Sequence, residues 1–402
     1  MFDFTTIMDR RGMDAIAVDC VGQDNGFAPG APKEGFDVIP MWVADMNFPT
    51  APSIVEAVSQ RLAHPAYGYF EPRKEYYDSI IRWQKDRNGV EGLTPEAIGY
   101  ENGVLGGLIS AMNVMCSRGD KVLVHSPTYI GFTHSLENNG YHIVHSPLVR
   151  DLDGVWRMDL EDMEKKLKAQ DIHTAIFCSP HNPCGRVWEP WEIKAAMDLF
   201  EKYGIQVISD EIWSDLTLEG YKHTPTQSIS PYARMNTVAL YAPSKTFNLA
   251  GLIGSYHIIY NPILRSKVRK ESSLSHYNSM NVLSMYALIG AYTATGEAWL
   301  EELRTVLTHN IDYACTYIRN HFPGVECFRP QGTYMLFLDC TKWCEDHGKT
   351  IRELETLCWD VGVACQDGCM FKHPCALRLN LALPLSRVKE AFDRLDRYVF
   401  NA

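Results

Sequence analysis

The sequence predicts an α/β protein: a mainly parallel central sheet with flanking helices, plus a smaller α+β domain at the carboxyl end. Two observations carry this reading. From residue 103 onward, short β-branched and apolar runs alternate with amphipathic helical stretches, as expected of strands covered on both faces. After a helix-rich connector at about 261–322, a strand, helix, strand, helix series closes the chain. At 402 residues and 46% apolar content, the chain can bury one large domain and a smaller one.

The first fifty residues are rich in Gly and Pro and read as an extended arm. Thr50 stands where it can cap a helix carrying Ile54, Val55, Val58 and Leu62 at helical spacing. A turn at His64-Pro65-Ala66 leads through Tyr67-Gly68-Tyr69 to an amphipathic helix over about 71–88. Helices are then expected at 104–116, 159–169 and 190–203, and strands at 121–125, 141–146, 174–178, 206–209, 238–241 and 254–260. Beyond the connector the expectation is strand 334–339, helix 351–360, strand 376–381 and a closing helix. No internal repeat or low-complexity segment interrupts this order. The domain division is therefore 1–49 for the arm with part of the small domain, 50–287 for the large domain and 288–402 for the small one.

Bulk properties exclude several classes of function. Lys and Arg number 38 against 49 Asp and Glu, a formal charge of −11 with no polybasic run, which argues against nucleic acid as a partner. No apolar stretch is long enough to span a bilayer, and the start Met1-Phe2-Asp3-Phe4-Thr5 has no secretory pattern, so a cytoplasmic protein with no membrane partner is expected. Twelve cysteines in a long chain of this kind are expected to stay reduced. The nearest approach to a ligand cluster, Cys365, Cys369, His373 and Cys375, lacks zinc-site spacing, and no metal is expected. Nor is Gly348-Lys349-Thr350 a phosphate-binding loop, because Trp343 stands where that motif needs Gly.

The chemistry centres on Ala242-Pro243-Ser244-Lys245-Thr246-Phe247-Asn248-Leu249-Ala250-Gly251. Apolar strand-like runs on both sides put Lys245 in a loop at a strand mouth. An ammonium among Ala, Phe and Leu is costly to desolvate, which lowers its pKa and frees the amine as nucleophile or base. Taken alone, a lysine snorkelling from a strand end would be the favoured reading. Asn182 and Asp210 also fall just past predicted strand ends, where open α/β sheets bind ligands. Gly103-Val104-Leu105-Gly106-Gly107 opens a helix, and free amides at a helix start bind anions. Each residue has a plainer use as well: Asp210 as a helix cap, Asn182 in an Asn-Pro turn, Tyr129 in the core, Arg378 in a surface ion pair.

The ordered set of segments removes that ambiguity. Asp9-Arg10-Arg11-Gly12, Met41-Trp42-Val43-Ala44-Asp45-Met46, Tyr67-Gly68-Tyr69, Ser126-Pro127-Thr128-Tyr129, His181-Asn182-Pro183, Ser209-Asp210-Glu211-Ile212, the lysine decapeptide and Arg378-Leu379-Asn380 follow one another as in a known family. The chain resembles fold type I, pyridoxal 5′-phosphate (PLP) dependent enzymes of the aspartate aminotransferase fold, and among them the MalY/PatB-type cystathionine β-lyase or carbon–sulfur lyase group. The resemblance implies that 50–287 binds PLP, with Lys245 joining its aldehyde and Asp210 facing the ring nitrogen. It further implies Asn182 on the phenolic oxygen, Tyr129 over the ring, and Gly103, Val104 and Leu105 around the phosphate, with Ser244 and Trp213 also at the cofactor. Arg378 and Ala44 would meet the substrate, Arg378 by a bidentate grip on an α-carboxylate. Lys245, Tyr129 and Tyr69 are the implied catalytic residues. Tyr69, with Tyr67 as the alternative, would reach across an obligate homodimer to the partner's cofactor, so that active sites are shared between subunits.

Some positions depart from the family pattern. Trp213 stands where this group usually has His, Ile253 where many superfamily members place a phosphate-binding Arg, and Asn47 where Asp is usual. The segment Phe371-Lys372-His373-Pro374-Cys375 is shorter than the family's loop. The expected activity is α,β-elimination from cystathionine, cysteine or a related S-conjugate to pyruvate, ammonia and a thiol. The alternatives are an aminotransferase on the same scaffold and, from another class, a PLP-binding regulatory protein.

Overall fold

The structure is a computed structural model that describes residues 1–23, 26–274 and 278–401. Its large sheet has eight strands: β1 (Ile98–Glu101), β2 (Lys121–Ser126), β3 (His142–Arg150), β4 (Trp156–Met158), β5 (Ile172–Cys178), β6 (Gln206–Asp210), β7 (Thr237–Tyr241) and β8 (Ser255–Ile258). They lie in the order β1-β8-β7-β6-β5-β2-β3-β4. The middle, β7-β6-β5-β2-β3, is parallel. The antiparallel members β1 and β8 close one end and β4 the other. The central strands β6 and β7 are buried along almost their whole length, which explains their unbroken apolar runs.

A smaller sheet is wholly antiparallel, formed by β9 (Glu326–Cys327), β10 (Met335–Asp339), β11 (Gln366–Asp367) and β12 (Ala376–Asn380) in the order β9-β10-β12-β11. The arm joins the carboxyl-terminal part by a short parallel pairing of Ile39–Pro40 with residues 363 and 364. The core is continuous across both parts, with Trp299 on the long helix Ala294–His321 packed against Phe4 and Phe247.

Several local expectations are corrected. Thr50 does not cap the first long helix: Pro52–Leu62 starts from Ala51 with Pro52, whose fixed φ suits the first turn, while the Thr50 hydroxyl donates to the Phe247 carbonyl at 2.7 Å. The helix expected from 71 begins at Lys74 and ends at Gly89, which takes a left-handed φ of 67°. Strand β3 runs four residues beyond 146 and forms a hairpin with β4, which the polar turn at 151–155 hides from pattern reading. The helix Ile130–Asn138 was not anticipated: it is only nine residues long, starts with no side-chain cap and carries Gly131 in its first turn. The connector contains the helices Pro262–Leu274, Val282–Ala291 and Ala294–His321, with 275–277 outside the described residues. Among the described residues no helix is long and apolar enough to cross a membrane.

Candidate active site

Parallel strands point their carboxyl ends to one edge of the sheet, and the loops there converge on a cavity of about 290 Å³, at the small end of the range for ligand sites. Asn182, Asp210, Trp213, Ser244 and Lys245 reach it from the loops after β5, β6 and β7. Gly103, Val104 and Leu105 line it from a helix start, Tyr129 from the loop after β2, and Ala44 from the arm. A larger open groove of about 550 Å³ lies between the arm and residues 383–387 and contains none of these.

Lys245 sits on a single helical turn, Pro243–Thr246, directly after β7, so it is held more firmly than the expected loop would hold it. Its Nζ donates to the Ala44 carbonyl at 2.8 Å. Burial pulls its pKa down to about 8, offset by the nearby Asp45 and Asp210 and reinforced by Arg378. The acceptor is itself fixed. Asn380 donates to the carbonyls of Val43 and Asp45, and Asn248, at a left-handed φ of 57°, both donates to and accepts from the Met46 backbone. The segment 43–46 is thus pinned from two sides, and Lys245 is aimed by it.

Asp210 ends β6, is buried, and accepts one hydrogen bond from the Ile212 amide at 3.0 Å. Burial raises its carboxyl to about 7. Tyr129 is partly buried, and desolvation raises its phenol. A Cβ at residue 131 would collide with the Tyr129 ring, so Gly131 is what lets that ring lie against the start of its own helix. Gly103, at φ 78°, turns the chain into the helix Val104–Met115, which begins with no side-chain cap and so leaves amides free at the cavity. Beside it Ile253, in a left-handed conformation with φ 47°, lines the cavity and supplies no charge.

Arg378 lies on β12 next to the cavity and is not part of its lining. Its Nη1 donates to Asn182 Oδ1 at 3.4 Å, and its Nη2 to the Trp42 carbonyl at 2.9 Å and Gln366 Oε1 at 2.5 Å. Desolvation lowers its pKa to about 10. Tyr69 and Tyr67 are not brought in: within one chain Tyr69 is wholly exposed and Tyr67 half exposed. Trp213 is buried edge-on against Tyr334 at 4.8 Å. Sequence reasoning missed Tyr334, whose hydroxyl donates at 3.0 Å to the same Ala44 oxygen that holds Lys245. It also missed Gly131, Gln366 and the role of Asn380. Of these only Asn380 had left a signal, its place in the Arg-Leu-Asn triplet.

These features fit PLP. A buried carboxyl with no cationic hydrogen-bond partner among the described residues, amides free at a helix start, a stacking ring and a desolvated amine are the counterparts its ring nitrogen, phosphate, ring face and aldehyde require. A large domain with a mostly parallel sheet, a small antiparallel sheet and this site define a fold type I enzyme. Residues 37–395 match the aminotransferase class I and II family, and the chain belongs to it. The chain is 38% identical to the cystathionine beta-lyase PatB of Bacillus subtilis (strain 168) over 331 residues, 82% of this chain and 83% of that one. It is 32% identical to MalY of Escherichia coli (strain K12) over 344 residues, 84% of each. Cystalysin from Treponema denticola, whose crystal structure contains a pyridoxal 5′-phosphate cofactor, superposes with a TM-score of 0.91 at 29% identity, covering 99% of this chain and 98% of that one.

Proposed function

We propose that the chain is a PLP-dependent carbon–sulfur β-lyase that converts cystathionine, cysteine or a related S-conjugate to pyruvate, ammonia and a thiol. The observation that carries this is the desolvated Lys245 amine, aimed by a pinned carbonyl into a cavity with Asp210 and beside Arg378. PLP bound there supplies an aldehyde for the substrate amine and a ring that takes up the negative charge left when Cα loses its proton.

The chain's own residues do the rest. Gly103, Val104 and Leu105 would hold the phosphate, Asp210 the protonated ring nitrogen and Asn182 the phenolic oxygen, with Tyr129 over the ring and Ser244 and Trp213 also at the cofactor. Arg378 grips the α-carboxylate and so turns the Cα–H toward Lys245 Nζ, which removes that proton. The sulfur leaves Cβ with its bonding electron pair, and Tyr129 or the partner subunit's Tyr69 returns a proton to it. Ala44 borders the substrate. The unit 50–287 carries Lys245, and 288–402 with 1–49 carries Arg378 and Ala44, so substrate is held between them.

The test is one assay on purified protein with PLP and L-cystathionine or L-cysteine. Pyruvate and thiol or sulfide in equal amounts, with no keto acid added, are expected. Turnover only with an added keto acid, accompanied by conversion of the cofactor to its amine form, would make the protein an aminotransferase.

The protein acts as a homodimer, a reading supported by the full exposure of Tyr69 and by the family resemblance. Mixing inactive Lys245→Ala with Tyr69→Phe chains after subunit exchange is expected to restore about a quarter of wild-type sites, because random pairing leaves one intact site in half the dimers. A sedimentation mass of one chain, with no recovery on mixing, would remove this reading. We place the enzyme in the cytoplasm, where its cysteines stay reduced; cell fractionation tests this.

A further inference from the structure

Arg378 is only 4% exposed, and a guanidinium taken out of water is costly unless it is paired. Every described hydrogen-bond partner of this one is neutral: the Trp42 carbonyl, Gln366 Oε1 and Asn182 Oδ1. Its buried Nε has no acceptor. Its guanidinium carbon lies 4.2 Å from the centre of the Phe371 ring, a face that attracts a cation without consuming its N–H donors. Both supports are anchored independently. Gln366 and Arg378 are cross-strand partners on β11 and β12, and the Phe371 carbonyl accepts the Thr128 amide at 2.8 Å, one residue before Tyr129.

We propose that Gln366 and Phe371 are positioning residues that fix Arg378 while leaving its charge unpaired, and that they thereby impose a requirement for a ligand carboxylate. The proposal rests on the reading that an amino-acid substrate occupies this cavity. A carboxylate in place of the Gln366 amide would satisfy the same geometry and cancel the charge. Glutamine supplies an acceptor oxygen and no charge, and the ring supplies attraction from one face only. The Nε–H is left for an incoming carboxylate. A site built around an unpaired buried charge discriminates strongly against ligands that lack the opposite charge.

The experiment titrates the PLP-loaded enzyme with L-alanine and, separately, with ethylamine, its counterpart without a carboxylate, following the absorption of the bound cofactor. Wild type is expected to favour L-alanine. Gln366→Glu is expected to weaken L-alanine binding about thirtyfold or more and to leave ethylamine within about twofold. Gln366→Met and Phe371→Leu should weaken L-alanine about three- to tenfold, again selectively, and they carry the comparison if Gln366→Glu does not fold. Unchanged L-alanine binding in all three variants, or equal loss of both ligands, overturns the proposal. So does a wild type that does not distinguish the two ligands. Neither ligand has a leaving group at Cβ, so failure of the lyase reading appears elsewhere, as absent pyruvate in the elimination assay.

Discussion

Lys245→Ala is expected to abolish pyruvate release, with kcat lowered by at least about 10⁴, the upper range for loss of a positioned general base. The same substitution removes the amine that joins the cofactor aldehyde, so the loss should exceed that of a base alone. It should also change the absorption of added PLP from that of a lysine-bound cofactor to that of the free aldehyde. The fold should survive. Lys245 makes one described hydrogen bond, to the Ala44 carbonyl, and that oxygen keeps its bond from Tyr334. Removing a buried ammonium also removes the desolvation that pulls its pKa to about 8. Circular dichroism matching wild type with no pyruvate released is the expected pair of results. Residual turnover within a hundredfold of wild type would mean that the proton leaves to another group.

The parts legible in the sequence were those with a local signature. The strand before Lys245 is an apolar run, and a lysine just past its end with Pro, Phe and Leu nearby in sequence advertises a desolvated amine. Gly103 before an apolar helix announces free amides. The helix at 351–360 lies where its pattern predicts, because Thr350 and Glu353 form a reciprocal capping box. What could not be read depends on contacts between distant segments. Tyr334 reaches Ala44 across 290 positions, and Gln366 meets Arg378 through strand register that no spacing encodes. Thr50 shows the complementary failure. Its residue type suits a cap, yet Ala51 takes the cap position, Pro52 starts the helix unaided, and the Thr50 hydroxyl instead holds the turn after Lys245.

Tyr67 and Tyr69 illustrate a different limit. Their motif was readable, but within one chain Tyr69 is wholly exposed and Tyr67 half exposed, so the proposed reach to a partner's site rests on the subunit-exchange test. Trp213 is the reverse case: its unusual identity stood out, and its packing against Tyr334 ties it to the wall that holds the Lys245 acceptor. Trp213, Tyr334 and the backbone at Ala44 are therefore joined in one set of contacts beside Lys245.

Asp210→Asn is the second variant with a large expected effect, and it can be read in two independent ways. With PLP bound, an amide cannot keep the ring nitrogen protonated. Breaking a buried charge pair costs about 3–5 kcal/mol, a rate loss between a hundredfold and several thousandfold. Without PLP the sign reverses. Burial raises the Asp210 carboxyl from 3.8 to about 7, so between those values the folded chain holds a proton that the unfolded chain has released. Stability from this group is complete below about pH 4 and is lost as pH rises to about 7. Lys245 acts in a separate window. Its pKa is lowered from 10.5 to about 8, so its unfavourable burial is relieved only as pH rises through that higher range. Denaturant unfolding of the cofactor-free proteins should thus give Asp210→Asn and wild type similar stability near pH 4, and should leave the variant more stable by a few kcal/mol near pH 7.5. A variant that gains stability without PLP while losing turnover with it is the mark of a carboxylate buried to meet a cation beyond the partial compensation Lys245 provides. Equal pH slopes in the two proteins, or wild-type turnover in the variant, would remove Asp210 from that role.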